Sequence, residues 1–414
     1  MNIAKTTNKI LLLSLATSTI LLATNGENLV GVGAKARGMA GAGIALGLGA
    51  ESGYLNPALI SSVEGTEISF GGTLFMPDID AQIQGGPTLS SDADTFVIPS
   101  VSIAHKINEN WYIGVGMWGT SGNGVDYSDA TINPAAGNLG NFQMLTNLQI
   151  LQFGVPITYK QNDFSIGISP ILQYGALDIG YTQPTPTGLI SVGRGVAQDF
   201  GFGVHVGLTY DFSRLGVKGL VFGATYKSAI DMDYNHQITG ALGNFPLALP
   251  DGDHLEQPEE IGIGFSYTTG GHSIAIDYKQ FKWASAKGYE DFGWEDQDVF
   301  AIGYQYKQDN WAVRLGYSIA DDAIPEQDGN TPAGAAANFF NLVGFPAIGN
   351  EHIAIGGSYE FTERFSIDLS YVYQIEEEKR YNTSGLSQPG QPFPGYVNNT
   401  HSEDSVAFAL NYKF

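Results

Sequence analysis

Few residues of this 414-residue chain have a type and spacing that could support catalysis. The sequence contains no His-Glu-x-x-His zinc motif, no Gly-x-Ser-x-Gly nucleophile elbow and no Walker loop. Its seven histidines are scattered rather than grouped at the spacing of metal ligands, and there is no cysteine to provide a thiolate. The sequence therefore predicts neither an enzyme nor a metal or cofactor site.

Two short motifs suggest ligand chemistry, but each has a simpler interpretation. Gly31 and Gly33 have the spacing that opens a dinucleotide-binding fingerprint, which needs a strand before it and a helix after it within a βαβ unit. The surrounding sequence predicts neither element. Asp251-Gly252-Asp253 could begin a calcium loop, but the following residues lack EF-hand spacing, so a solvated acidic turn is favoured.

The N-terminus has the organisation of an export signal. Lys5 and Lys9 precede an apolar run at 10–23 that is too short to span a bilayer as a helix. We predict that residues 1–23 form a signal peptide that is cleaved after Ala23. Without cysteine, the exported chain has no disulfide framework, and its formal net charge of −23 argues against nucleic acid as a partner.

Apolar and polar residues alternate through most of the remaining chain. In the C-terminal segment, Val406, Phe408, Leu410, Tyr412 and Phe414 fall on one face of an extended strand, and small or polar residues fall on the other. Short connections between such strands are predicted near 108–110, 161–163, 213–218, 269–271, 307–310 and 362–364. Longer connections are predicted at 85–93, 128–141, 183–196, 235–257, 286–297, 322–349 and 382–402.

This strict alternation of short and long connections implies fourteen strands. An even number of antiparallel strands, with short turns on one side and long loops on the other, is typical of outer-membrane barrels. A soluble sandwich or propeller would have connections of similar length at both ends. The sequence therefore predicts an all-β protein in which residues 66–414 form a 14-stranded antiparallel transmembrane β-barrel.

Residues 24–65 precede the first strand and do not alternate. They are rich in Gly and Ala, most of all at 31–43, and contain Asn56-Pro57-Ala58. Small residues let an irregular segment pack closely inside a barrel, where its backbone is shielded from lipid. We predict that this segment is a hatch that plugs the barrel, although Asn56-Pro57 taken alone could be only a turn.

The order of these features resembles the long-chain fatty acid transporter family (FadL/TodX). The features are an export signal, a small-residue segment with Arg37-Gly38-Met39-Ala40-Gly41-Ala42-Gly43, then Asn56-Pro57-Ala58, then fourteen strands ending in Phe414. The resemblance implies a barrel in the outer membrane that takes up hydrophobic compounds such as fatty acids or hydrocarbons passively. The acidic balance of the chain is compatible with outer loops that face lipopolysaccharide, and we expect the barrel to be a monomer. The hatch positions that it carries over are Arg37, Gly38, Gly41, Asn56, Pro57 and Ala58.

The resemblance also implies that substrate leaves sideways, through an opening made by a kinked strand. In the predicted third strand, residues 118–124 interrupt the regular alternation, and glycine inside a strand often marks a bulge. The candidate lateral gate is therefore Gly119, Gly122, Asn123 and Gly124. The alternative is that these glycines only relieve crowding in a curved wall.

Candidate substrate contacts lie in two outer loops and on two strands. Exposed apolar clusters could line a substrate groove or could pack the loops together as a lid. The clusters consist of Leu242, Phe245, Leu247 and Leu249, and of Phe339, Phe340, Leu342, Val343 and Phe345. Lys279 and Arg314, on the polar faces of their strands, could bind a substrate carboxylate or pair with Asp277 or Asp368.

Two other functions remain open from the sequence alone. A general diffusion porin for small polar solutes would need an open lumen, against which the predicted hatch argues. An outer-membrane hydrolase or adhesin would share the barrel and the export signal, and the order of the residues does not exclude either.

Overall fold

The computed structural model describes residues 24–130, 143–185, 188–193, 195–243, 245–388 and 393–414. The predicted signal peptide, and much of the long connection predicted at 128–141, lie outside the described residues.

Fourteen antiparallel strands form a closed barrel, as the sequence predicts. In chain order they are β1 (Thr66–Ile83), β2 (Phe96–Lys106), β3 (Trp111–Asp126), β4 (Gln143–Gly154 and Ile157–Gln161), β5 (Phe164–Thr185), β6 (Ala197–Asp211), β7 (Leu220–Lys227), β8 (Glu260–Thr269), β9 (His272–Phe281), β10 (Gln297–Gln308), β11 (Trp311–Ala320), β12 (Glu351–Glu360), β13 (Phe365–Asn382) and β14 (Tyr396–Lys413). Pairing of β14 with β1, from Val397 opposite Ile83 to Lys413 opposite Glu67, closes the barrel. The predicted short turns lie between strand ends, but two long connections differ from the prediction: β14 begins at Tyr396, within the loop predicted at 382–402, and β7 ends at Lys227, before the loop predicted at 235–257.

The helices are short, and they occur in residues 24–65 and in the connections between wall strands. They are α1 (Ala34–Arg37), α2 (Ser52–Leu55), α3 (Ile238–Leu242) and α4 (Pro332–Phe339), with a π-helix at Phe340–Gly344 and 3-10 turns at Pro57–Ser62, Phe212–Leu215, Trp283–Ser285, Glu290–Phe292 and Ser384–Leu386. Extra strand pieces lie at Thr24–Asn25, Asn28–Leu29, Thr88–Ser90 and Gly188–Val192. Among the described residues, no helix has the length and apolar character needed to cross a membrane.

The two faces of the wall differ as alternation requires. Along β14, Val406 and Phe408 are 40% and 44% exposed, whereas the intervening Ala407 is 1% exposed. Aromatic side chains gather beside the short turns, where Trp111 packs on Tyr159 with 5.0 Å between ring centroids. An apolar band with an aromatic edge is the surface that lipid and its interface favour.

Residues 24–65, hereafter the N-terminal segment, pack against inward faces of strands around the barrel. Asn56 donates from Nδ2 to the carbonyl oxygens of Ile44 (2.8 Å) and Leu208 on β6 (3.1 Å), and its Oδ1 accepts from the Ala58 amide (3.0 Å). The approach is so close that a Cβ atom on Gly207 would lie 2.0 Å from that Oδ1. A strand glycine therefore makes room for the Asn-Pro-Ala motif.

The same close packing occurs at strands β9 and β11. A Cβ atom on Gly316 of β11 would lie 2.2 Å from the carbonyl carbon of Met39. Asp277 on β9 accepts hydrogen bonds from the amides of Gly43 (2.6 Å) and Ile44 (2.9 Å). Small residues on both surfaces and polar bonds between them thus hold the N-terminal segment against the wall.

Candidate functional site

The barrel wall is interrupted between β2 and β3. These strands pair only from Ser100 opposite Trp118 to Lys106 opposite Tyr112. Towards the outer loops, β2 continues to Phe96 with β1 as its partner, and β3 continues to Asp126 with β4 as its partner. Residues 96–99 and 119–126 thus face each other without pairing, and we call this gap the wall opening.

A bulge turns β3 away from β2 at the edge of the wall opening that is farther from the outer loops. The pairing of β3 with β4 shifts register between Gly119 and Ser121, leaving Thr120 as the extra residue. A Cβ atom on Gly119 would lie 2.3 Å from Cγ2 of Ile98 on β2. Directly before the bulge, the buried indole of Trp118 donates to the Ser102 hydroxyl (2.9 Å), which fixes the last paired position.

The N-terminal segment supplies hydrogen bonds that β2 does not. Asn28 forms a bridge with Ser121 of β3. The Gly122 amide and the Ser121 hydroxyl donate to the carbonyl oxygen of Glu27, at 3.1 and 2.9 Å. Part of the unpaired edge of β3 is therefore satisfied from inside the barrel.

The Glu27 side chain is buried beside this contact, with 1% of its surface exposed. The Tyr289 hydroxyl donates to its carboxylate. Burial raises the pKa of the Glu27 carboxyl from 4.5 to about 7, against the smaller lowering effect of the Tyr289 hydrogen bond. Sequence patterns gave no reason to single out Glu27 or Asn28.

A cavity of about 640 Å³ lies at the wall opening. All four candidate gate residues, Gly119, Gly122, Asn123 and Gly124, line it. Apolar side chains of β1, β2 and β4 contribute other parts of its surface, and Gly26 and Leu29 of the N-terminal segment contribute its inner side. The cavity thus extends from the N-terminal segment to the gap in the wall.

The predicted hatch residues are engaged with the wall or with each other. Arg37 is fully buried and donates from Nη1 to the Gly31 carbonyl (3.2 Å) and from Nη2 to the Ser405 hydroxyl on β14 (2.5 Å). Gly41 adopts a φ of 77°, which favours glycine. Gly38 packs on Gly356 of β12, and the Pro57 carbonyl accepts from the Thr158 hydroxyl (2.6 Å).

The two apolar loop clusters pack on each other. Phe245 contacts Phe340 edge-to-face with 4.7 Å between centroids, and Leu242, Phe339, Leu342 and Val343 are at most 1% exposed. Leu247, Leu249 and Phe345 are partly buried against the same cluster. None of these residues lines the described part of the cavity, although the neighbouring Pro346 and Ala347 do. The geometry supports the lid interpretation over the groove.

Lys279 and Arg314 are engaged within the protein. Lys279 donates to the Gly41 carbonyl of the N-terminal segment (3.1 Å). Arg314 donates to Gln305 (2.8 Å) and Ser358 (2.6 Å) and lies 3.9 Å from Asp368. Neither cation is among the described residues that line the cavity. Their placement supports the alternative in which they hold internal contacts, rather than a substrate carboxylate.

The acidic turn at 251–253 stabilises its own loops. Asp251 accepts from the Gly288 amide (2.9 Å), and Asp253 accepts from the Thr239 amide (2.8 Å). Within the described ranges, no group of three or more His, Asp or Glu side chains is arranged to hold a metal ion.

Comparison with known proteins identifies the family. Residues 15–414 match the model of the family described as outer membrane protein transport protein (OMPP1/FadL/TodX). The chain belongs to this family. It is 24% identical to the long-chain fatty acid transport protein of Escherichia coli, in an alignment that covers 79% of this chain and 81% of that protein. It is also 24% identical to outer membrane protein P1 of Haemophilus influenzae, in an alignment that covers 81% of this chain and 68% of that protein.

Solved structures show the same fold. The crystal structure of the P. putida toluene transporter TodX is similar with a TM-score of 0.68 and 18% identity, covering 93% of this chain and 99% of that one. The Ralstonia pickettii toluene transporter TbuX is similar with a TM-score of 0.65 and 17% identity, covering 93% and 99%. This family member is an outer-membrane β-barrel transport protein, which confirms the predicted fold, family and location.

Proposed function

We propose that this barrel takes up hydrophobic compounds across the outer membrane without energy input, and that they leave it sideways through the wall opening. The observation that carries the proposal is a cavity that meets a gap in the wall, beside a lumen occupied by the N-terminal segment. Related proteins are described as transporters of long-chain fatty acids and of toluene, both hydrophobic. Compounds of this class are the proposed substrates.

The N-terminal segment is proposed to act as the hatch. Met39, Ile44 and Ile60 are fully buried, and bonds to β6, β9 and β14 hold the segment in place. A packed lumen disfavours a general diffusion porin, because polar solutes need a continuous aqueous path. A hydrophobic compound gains by entering lipid directly, so a lateral exit needs no coupling to another reaction.

We further propose that the barrel functions as a monomer whose outer loops contact lipopolysaccharide. One chain closes the barrel and contributes every described residue of the cavity and the wall opening. Chemical crosslinking of intact cells, followed by separation of folded barrels, should yield one protein chain per barrel.

The lateral route is tested at Gly119, where an added side chain would project towards Ile98 and Pro99 across the wall opening. Gly122 and Gly124 are less suitable because their Cβ atoms would meet backbone carbonyl oxygens, of Leu148 (2.9 Å) and Thr146 (2.1 Å), whereas the close contact at Gly119 is with the side chain of Ile98 (2.3 Å). Gly119→Phe should reduce uptake of labelled fatty acid or hydrocarbon about tenfold, in a host without its own transporter of this family.

The matched control is Gly357→Phe, because the nearest atom to an added Cβ there is a carbonyl oxygen at an ordinary 3.6 Å. Both variants should keep the heat-modifiable mobility of a folded barrel in electrophoresis. Full uptake by a folded Gly119→Phe barrel would contradict the lateral route.

A further inference from the structure

We propose that the cavity at the wall opening selects uncharged hydrophobic compounds and discriminates against those with an anionic head group. The inference rests on the proposed function and names its substrate class.

The cavity combines apolar walls with acidic positions. Its apolar lining includes Phe75, Ile79, Phe96, Leu148 and Leu151. Its acidic lining consists of Asp92, Asp94, Asp126 and Glu403, and no Lys or Arg is among the described residues that line it. The lining also includes His401, but its Nε2 lies 3.2 Å from Oε1 of Glu403 and already has a carboxylate beside it. An anionic head group would therefore lose water without gaining a lysine or arginine partner.

Three of the carboxylates lie around the outer edge of the wall opening. The segment at 91–95 is tied to the outer end of β3, because the Asp92 amide donates to the Asp126 carbonyl (2.8 Å) and the Asp126 amide donates to the Ser91 hydroxyl (2.9 Å). Asp92 and Asp94 have exposed side chains. An anion that approaches this edge meets charges of its own sign.

Three buried cations that contact the N-terminal segment or the inner wall are already engaged. Arg37 interacts electrostatically with Glu403 and is hydrogen-bonded to Gly31 and Ser405. Lys279 and Arg314 bond to the N-terminal segment and to wall residues, as described above. Binding an anion through any of them would require breaking these contacts, whereas an uncharged compound needs no cation.

The test compares two probes with the same chain, dodecan-1-ol and dodecanoate, at about pH 7.5, where the carboxylate is ionised. Uptake is measured in a Gram-negative host without its own transporter of this family, after subtracting vector-only cells, with labelled toluene as a second neutral probe. We expect uptake of dodecan-1-ol to exceed that of dodecanoate by at least about fivefold, because each nearby carboxylate repels the anion.

Asp94→Lys tests the cause, because it replaces an exposed carboxylate of the lining with a cation. The control Glu295→Lys makes the same charge change at an exposed outer-loop position that does not line the cavity. The ratio of dodecanoate to dodecan-1-ol uptake should rise at least about threefold in Asp94→Lys and stay unchanged in the control.

The outcomes separate the two proposals. Equal uptake of dodecanoate and dodecan-1-ol by the unmodified barrel, or an unchanged ratio in folded Asp94→Lys, overturns the discrimination against anions and leaves hydrophobic uptake standing. Uptake of all three probes at the vector-only level overturns the proposed function, and the inference with it.

Discussion

Glu27 connects the N-terminal segment to the wall opening, and its burial makes this connection sensitive to pH. Its backbone carbonyl accepts from the Gly122 amide of β3, while its carboxyl is buried beside Tyr289. Since burial raises the carboxyl pKa from 4.5 to about 7, the folded state favours the protonated form. The stability that protonation provides is fully present below about pH 4.5 and is lost as the pH rises through about 7.

The pKa values set the size of the effect. Moving a carboxyl pKa from 4.5 to about 7 corresponds to about 3 kcal/mol between the protonated limit and pH values well above 7. About 1 kcal/mol of this difference falls between pH 6 and pH 8. The contact between Glu27 and Gly122 should therefore open roughly five to ten times more often at about pH 8 than at about pH 6.

Hydrogen exchange of the peptide at 119–126 measures this opening, since it contains the Gly122 amide. Rates are corrected for the chemical effect of pH, with a peptide from β10 as an internal reference. Glu27→Gln keeps a hydrogen-bonding side chain but does not titrate, so its corrected exchange should be independent of pH. The reasoning is refuted if Glu27→Gln and the unmodified barrel show the same pH dependence, or if the unmodified barrel is better protected at pH 8.

Further predictions concern the packing of the N-terminal segment and the loops. Gly207→Ala should displace Asn56 and so increase both proteolysis of the N-terminal segment and ion conductance in planar bilayers. The control Gly357→Ala should change neither, and equal conductance in the two variants would count against close docking of the segment. Asp277→Ala should leave two amides without their acceptor and lower the free energy of unfolding by about 1–3 kcal/mol, so that the folded electrophoretic band is lost at a lower temperature. An unchanged temperature would show that water replaces the carboxylate. Phe340→Ala should remove about 3–5 kcal/mol of packing between the outer loops and speed protease cleavage within 321–350, and a resistant loop would argue against the lid interpretation.

The barrel could be predicted from the sequence because lipid imposes a simple rule on every strand. Residues that face lipid must be apolar at a period of two, so Val406 and Phe408 indicate their orientation without knowledge of their neighbours. The second rule is that short turns alternate with long loops, and the predicted turns at 108–110 and 362–364 end directly before β3 and β13. Both rules act locally along the chain.

Contacts between distant residues could not be predicted in the same way. The bridge between Asn28 and Ser121 joins residues with no common pattern. A signal did exist at Gly207, a glycine within a strand whose inward face receives Asn56. The sequence also left open whether Arg314 binds substrate or internal partners, because an inward polar face is compatible with both.

The N-terminal segment and the wall opening depend on each other. A strand edge without partners is costly in a membrane, because lipid offers no hydrogen bonds to the free amides and carbonyls. The barrel reduces this cost where β3 leaves β2, because the Glu27 carbonyl accepts from the Gly122 amide and from the Ser121 hydroxyl. A chain that lost the Glu27 contact would have to close the gap or hydrate it. Opening of the lateral route and movement of the N-terminal segment are therefore expected to be one event, and the titratable carboxyl at this contact is expected to affect both.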